Sequence, residues 1–160
     1  MNRRSESFDQ GVPSFIHRHG GYRLDEQVLN FSSGEPIMTY HDKIQLTLLI
    51  IAPPDQAAEG DRIFQSHGSW MESTHYRTGA KALLSYNLSK GPELSNPMDL
   101  NSAPTGNTCF ILTEIYEGKA GVVDHLEQTG SWGDFPAIGK WMEKCKVTFV
   151  PAASVINSLW

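Results

Sequence analysis

Residues 109–126 read CFILTEIYEGKAGVVDHL, and this stretch decides the fold. Its first half, up to Tyr116, is rich in β-branched, aromatic and apolar residues and predicts a strand. Gly118 interrupts the run. Beyond it, three apolar residues recur at helical spacing: Val122, Val123 and Leu126. The stretch therefore predicts a strand that leads directly into a helix, and His125 lies within that helix.

The rest of the chain supplies the partners of this strand–helix unit. Hydrophobic periodicity predicts strands over residues 44–51, 82–88, 108–116 and 146–150, and helices over residues 55–76 and 118–128, with a short helix after Asp134. Asp55 is the expected N-cap of the first helix. The order β, α, β, β, α, β predicts a ferredoxin-like α+β fold, in which four antiparallel strands carry both helices on one face.

Two segments fall outside this core of elements. Residues 1–43 are expected to form an N-terminal arm, and residues 44–160 the ferredoxin-like domain. Residues 91–106 contain three prolines among Asn and Ser residues, so we expect a loop there. The loop is longer than a hairpin needs, which suggests a role such as a flap over a site.

Composition limits the classes of partner. With 39% hydrophobic residues in 160, the chain fits one globular domain. A net charge of −5 argues against a nucleic-acid surface. Cys109 and Cys145 lack CxxC spacing, so neither a disulfide framework nor a structural zinc site is indicated. No signal peptide and no membrane-spanning run is visible, so the prediction is a cytoplasmic protein without a membrane partner.

Strand faces predict self-association. The strands over residues 44–51 and 108–116 are apolar on both sides, whereas the two helices cover only one face of the sheet. The other face needs a cover, and a second subunit would supply it in a two-fold homodimer. The alternative is that residues 1–43 cover this face within one chain.

The segment LTEIYEGKAGVVDHLEQTGSWGDF resembles the dimeric α/β-barrel superfamily, and in particular its antibiotic-biosynthesis-monooxygenase-like branch. The matching positions are Glu114, Tyr116, His125, Leu126 and Phe135. The resemblance spans roughly residues 44–150 and implies the fold more directly than the reaction. Members often carry a second histidine in a Pro-His-Phe run, where this chain has Gly130-Ser131-Trp132.

Histidines are the candidate catalytic groups. His67 shares the predicted inward helix face with Phe64, Trp70 and Met71, a lining suited to a flat organic ligand. A neutral imidazole there could accept a proton from a phenol or an activated methylene, although a core histidine bonded to a backbone carbonyl is the alternative. His125 matches the helix histidine of the family, and could equally be a surface residue beside Asp124.

Three strand residues complete the predicted site. Tyr86 and Tyr116 could orient a substrate carbonyl, or simply pack in the strands. Glu114 would need a partner if it points inward. His17 and His19 could share a metal ion, but no third ligand stands at a telling spacing, so no metal is predicted.

These features, with the resemblance, predict a small cofactor-independent oxygenase or cyclase-like enzyme acting on an aromatic or polyketide-like small molecule. No cofactor is implied. One alternative is a non-catalytic ligand-binding or stress-response dimer of the same fold. A haem-degrading monooxygenase fits less well, because the third strand ends in Ile115 and Tyr116 rather than in a tryptophan.

Overall fold

The computed structural model describes residues 39–159. Its strands are β1 (Ile44–Ala52), β2 (Leu83–Leu94), β3 (Pro104–Tyr116) and β4 (Lys146–Ser154). Its helices are α1 (Ala57–Thr74), α2 (Lys119–Gln128) and α3 (Phe135–Met142), with 3-10 turns at Pro54–Gln56 and Thr129–Ser131. The predicted arm, residues 1–43, lies almost entirely outside the described residues, as do His17 and His19.

The four strands form one antiparallel sheet in the order β2-β3-β1-β4. This order, with the β1-α1-β2 and β3-α2-β4 connections, confirms the predicted ferredoxin-like α+β fold. The short helix α3 is inserted between α2 and β4. No helix within residues 39–159 is long and apolar enough to cross a membrane.

Even-numbered residues of β1 and β3 face the helices and form the core. Leu48 pairs with Leu112 and Ile50 with Phe110, and all four are buried. Leu46 pairs with Glu114, so a carboxylate occupies a core position on the helix-covered face. The opposite face carries apolar side chains at Leu49, Ile51, Ile111 and Val150, interleaved with threonines.

The strands run further than the sequence predicts, and the proline-rich loop is correspondingly shorter. The structure shows β2 continuing to Leu94 and β3 starting at Pro104, so the prediction of a loop over residues 91–106 was wrong at both ends. Likewise, β4 continues past Pro151 to Ser154. Both β2 and β4 are edge strands, where a proline need not remove a ladder hydrogen bond.

Two helix predictions also need correction. Asp55 is not the N-cap of α1, because it lies in the preceding 3-10 turn. The buried face of α2 consists of Gly121, Val122 and His125, whereas Val123 and Leu126 are 44% and 43% exposed. Glycine and histidine therefore replace the expected apolar stripe.

Gly60 fixes how closely α1 approaches the core. A Cβ atom at this position would lie 2.5 Å from Trp141 and 2.7 Å from Phe110, whereas one at Gly68 meets nothing closer than 3.8 Å. We therefore expect Gly60→Ala to lower the free energy of unfolding by about 1–3 kcal/mol through overpacking. The matched control Gly68→Ala, in the same helix, is expected to raise it by up to about 1 kcal/mol.

Urea denaturation of both variants measures the difference. Equal effects of the two substitutions would contradict the close packing of α1 on Trp141 and Phe110.

Candidate functional site

Three buried side chains from three different elements converge beneath the helices. His67 comes from the middle of α1, Glu114 from β3 and His125 from α2. One ligand atom from each of them lies within 4.8 Å of the others. His67 Nε2 is 4.0 Å from Glu114 Oε1, and His125 Nε2 is 4.0 Å from Glu114 Oε2. We call these residues the His–Glu–His cluster.

The close packing of α2 on β3 brings His125 into this cluster. A Cβ atom at Gly121 would lie 2.7 Å from the Tyr116 ring, so only glycine permits this approach. His125 is one helical turn after Gly121 and therefore points to the same region. Tyr116 in turn donates a hydrogen bond of 2.6 Å from its hydroxyl to Glu114 Oε2.

Glu114 is the most unusual group in the described part of the chain. It is 0% exposed, and its second oxygen, Oε1, has no hydrogen-bond partner among residues 39–159. Burial raises the pKa of Glu114 to about 7, against a smaller lowering by the Tyr116 hydrogen bond. An unsatisfied buried carboxylate oxygen is costly, so its retention calls for a functional explanation.

A directed chain of hydrogen bonds fixes the tautomer of His125. The Thr74 hydroxyl donates to the Trp70 carbonyl at 2.7 Å, so its oxygen accepts from His75 Nδ1 at 3.0 Å. Burial lowers the pKa of His75 and favours its neutral form. A neutral His75 with its proton on Nδ1 accepts at Nε2, which lies 3.0 Å from His125 Nδ1. The His125 proton is therefore on Nδ1, and the Nε2 lone pair is directed toward Glu114.

His67 is held by a tyrosine and two tryptophans. Its Nδ1 atom is 3.1 Å from the Tyr86 hydroxyl, a bond in which either partner can donate. Its ring packs against Trp132, with centroids 4.9 Å apart, and against Trp70 at 5.6 Å. Burial lowers the pKa of His67 to about 3 and that of His125 to about 4. Both imidazoles are therefore neutral at pH 7.

An apolar cavity of about 220 Å³ opens beside the cluster. His67 and His125 are its polar wall, and Thr129 is the other polar group at its edge. The remaining lining comes from β1, β3, β4, the helices and the segment before α3: Leu46, Leu48, Phe64, Leu112, Leu126, Trp132, Phe135, Ile138, Met142, Val147 and Phe149. Such a cavity suits a small apolar molecule with few polar groups.

The structure divides the sequence-predicted site residues into three groups. His67, His125 and Phe64 line the cavity. Glu114, Tyr116 and Trp70 are buried against the two histidines instead. Met71 and Tyr86 border a separate surface depression, although the Tyr86 hydroxyl still reaches His67.

Sequence reasoning missed His75 and most of the cavity wall. His75 directly follows α1, is buried and bonds His125. Val147 and Phe149 line the cavity from β4. Their alternation with Lys146 and Thr148 marks them as one strand face, but it does not indicate which face carries a ligand.

Comparisons with known proteins give little beyond this geometry. No family model matches the chain, and no curated protein matches it. It is similar to the solved structure of a dimeric ferredoxin-like protein from an uncultured marine organism, with 14% identity and a TM-score of 0.48. That match covers 73% of this chain and 98% of the other. Membership of the antibiotic-biosynthesis-monooxygenase-like branch therefore stays a prediction.

Proposed function

We propose that this protein is an enzyme that binds a small aromatic or polyketide-like molecule in the apolar cavity and acts on it at the His–Glu–His cluster. One observation carries the proposal: the apolar cavity has two neutral imidazoles as its polar wall, and behind them lies a buried carboxylate whose Oε1 atom has no partner among residues 39–159. Apolar walls bind the body of a ligand, and the few polar groups orient its reactive end.

Proton abstraction is the reaction step that these groups support. A carboxylate whose pKa is near neutrality is well matched to accept a proton at pH 7, and burial gives Glu114 such a pKa of about 7. His67 and His125, with their lowered pKa values, are weaker bases and serve better to orient the substrate. This assignment differs from the hypothesis of His67 as the base.

The proposed step balances without a cofactor. An acidic O–H or activated C–H of the substrate breaks, its proton passes to the cluster, and the bonding electrons stay on the substrate as a phenolate or enolate. Such an anion is the species that would react with oxygen in an oxygenase or close a ring in a cyclase. The proton first reaches His125, which lines the cavity, and passes from its Nε2 atom to Glu114, which then holds it.

We also propose that a second copy of the chain covers the open face of the sheet. Leu49, Ile51, Ile111 and Val150 leave an apolar strip on this face among residues 39–159. Residues 1–38 are the alternative cover and lie outside the described part of the chain.

A blocking substitution tests whether the cavity holds the ligand. Leu126→Trp places an indole at the cavity, whereas Val123→Trp adds the same group to the same helix away from it, at nearly equal exposure. We expect native mass spectrometry of protein from its own host to show a bound small molecule in wild type and Val123→Trp. Leu126→Trp is expected to reduce its occupancy at least about tenfold.

Glu114→Gln separates catalysis from binding. This variant is expected to retain the ligand and to lose roughly 100-fold or more of its turnover, since general-base catalysis contributes about that much. Turnover is followed by mass spectrometry of candidate substrates incubated with the protein. If Glu114→Gln converts substrate as fast as wild type, the carboxylate is not the base. If wild type binds but converts nothing, the protein is a ligand carrier and not an enzyme.

A further inference from the structure

We infer that the His–Glu–His cluster is a binding site for one divalent first-row transition-metal ion, held by His67 Nε2, His125 Nε2 and the Glu114 carboxylate. The inference goes beyond the proposed function, because metal binding can be measured without any substrate. It also departs from the sequence-based expectation of a site without a metal.

Distances within the cluster fit a metal ion and are too long for a hydrogen bond. Each histidine Nε2 lies 4.0 Å from a Glu114 oxygen, which is too long for a hydrogen bond. Metal bonds of about 2.0–2.2 Å place two ligand atoms roughly 3.4–4.2 Å apart, depending on the angle between them. A metal ion can therefore bridge this gap, whereas a hydrogen bond cannot.

The electrostatics of the cluster also call for a cation. The bond chain from Thr74 leaves His125 Nε2 as a bare lone pair directed at a carboxylate. Glu114 Oε1 is fully buried and has no partner among the described residues. Electron pairs that face one another in a buried space repel unless a cation lies between them.

Supporting hydrogen bonds complete the arrangement expected of metal ligands. The ring nitrogen of each histidine that faces away from Glu114 is engaged: Nδ1 of His67 by Tyr86 and Nδ1 of His125 by His75. The carboxylate is held by Tyr116. Metal-binding histidines commonly have their second ring nitrogen fixed in this way, which sets the tautomer and the ring orientation.

The donor set defines the class of ion. Two imidazoles and one carboxylate suit Zn²⁺, Fe²⁺ or Co²⁺, whereas Mg²⁺ and Ca²⁺ prefer oxygen ligands alone. Three protein ligands leave a coordination position open, as in catalytic rather than structural sites. Since His67 and His125 also line the cavity, a ligand there could reach that position.

Titration with Co²⁺ alone tests the inference on the full chain after dialysis against EDTA. We expect one equivalent to bind, with the visible absorption of nitrogen-ligated cobalt, and Zn²⁺ to displace it. Glu114→Gln and His67→Gln are each expected to weaken binding roughly 100-fold, and Tyr116→Phe about tenfold. The control His17→Gln/His19→Gln, which removes the other histidine pair noted in the sequence, should bind as wild type does.

Circular dichroism shows whether each variant is folded. Because Glu114→Gln and His67→Gln each remove a different metal ligand, the test remains decisive if one of the two variants does not fold. Binding that is lost in the His17→Gln/His19→Gln control, or that is unchanged in both ligand variants, would overturn the proposed site. So would the absence of saturable Co²⁺ binding to wild type. None of these outcomes depends on the small-molecule reaction. The proposed proton transfer to Glu114 refers to the metal-free cluster, because a carboxylate and imidazoles bound to a metal ion do not accept a proton.

Discussion

Replacing Glu114 with glutamine is expected to stabilise the metal-free protein at pH 8 by roughly 3 kcal/mol. Burial raises the pKa of this carboxyl to about 7 in the folded protein, from its ordinary value of 4.5. The folded state thus favours the protonated form, and this contribution to stability is fully present below pH 4.5. This stabilising contribution is lost as the pH rises through 7 and the carboxyl ionises. Glutamine resembles the protonated acid but does not ionise, so the variant keeps the contribution at pH 8.

Urea denaturation in EDTA at pH 5 and pH 8 measures this effect. The two proteins should differ by less than about 1 kcal/mol at pH 5 and by roughly 3 kcal/mol at pH 8. The lowered pKa values of His67 and His125 make the folded state more stable as the pH rises, which is opposite to the effect of Glu114. Both proteins contain these histidines, so comparing the variant with wild type at each pH largely cancels their effect on stability. The exposed control Glu72→Gln should change stability by at most about 0.5 kcal/mol at either pH.

If Glu114→Gln is less stable than wild type at pH 8 without metal, the carboxylate is ionised and favourably paired in the folded protein. That result would contradict the unsatisfied oxygen on which the site depends.

A charge on the open face of the sheet is expected to separate the proposed dimer. Ile111 lies on the central strand β3, opposite Leu49, and is 41% exposed. Arginine at this position would place an unpaired charge in the interface, which costs several kcal/mol. We therefore expect Ile111→Arg to raise the dissociation constant at least about 1000-fold, since each 1.4 kcal/mol is a factor of ten.

Analytical ultracentrifugation at about 10 µM protein distinguishes a dimer from a monomer, because dimers with an interface of standard size stay associated well below this concentration. Wild type and the control Val123→Arg, which carries the same charge on the outer side of α2, should sediment as dimers. Ile111→Arg should sediment as a monomer. A monomeric wild type would instead favour cover by the N-terminal residues of the same chain.

The sequence predicted the layout of the fold because hydrophobic periodicity is a local signal. The order of strands and helices and the inward face of α1, from Ile63 to Met71, are confirmed. The edge strands were underestimated, because Pro92 and Pro151 usually end a strand and only the position at an edge makes them tolerable. That position is a property of the sheet and not of the local sequence.

The site was predictable only in part, because its residues meet through tertiary packing. His67 stands out among aromatic residues on one helix face, and Glu114 stands out as a charge in an apolar strand. Nothing in the sequence indicates that His75 bonds His125, since that contact depends on how α2 packs on β3 through Gly121. The cavity wall from β4 likewise follows from sheet topology.

The metal site and the proposed chemistry both depend on a neutral His125 whose Nε2 lone pair faces a buried carboxylate. Two-bond ¹H–¹⁵N spectra of histidine-labelled protein at pH 7 in EDTA measure this directly, because they report the protonation of each ring nitrogen. We expect His125 and His75 to be neutral, with the proton on Nδ1, and added Zn²⁺ to shift the Nε2 resonances of His67 and His125. A proton on Nε2 of His125, or a charged imidazolium at that residue, would contradict this expectation.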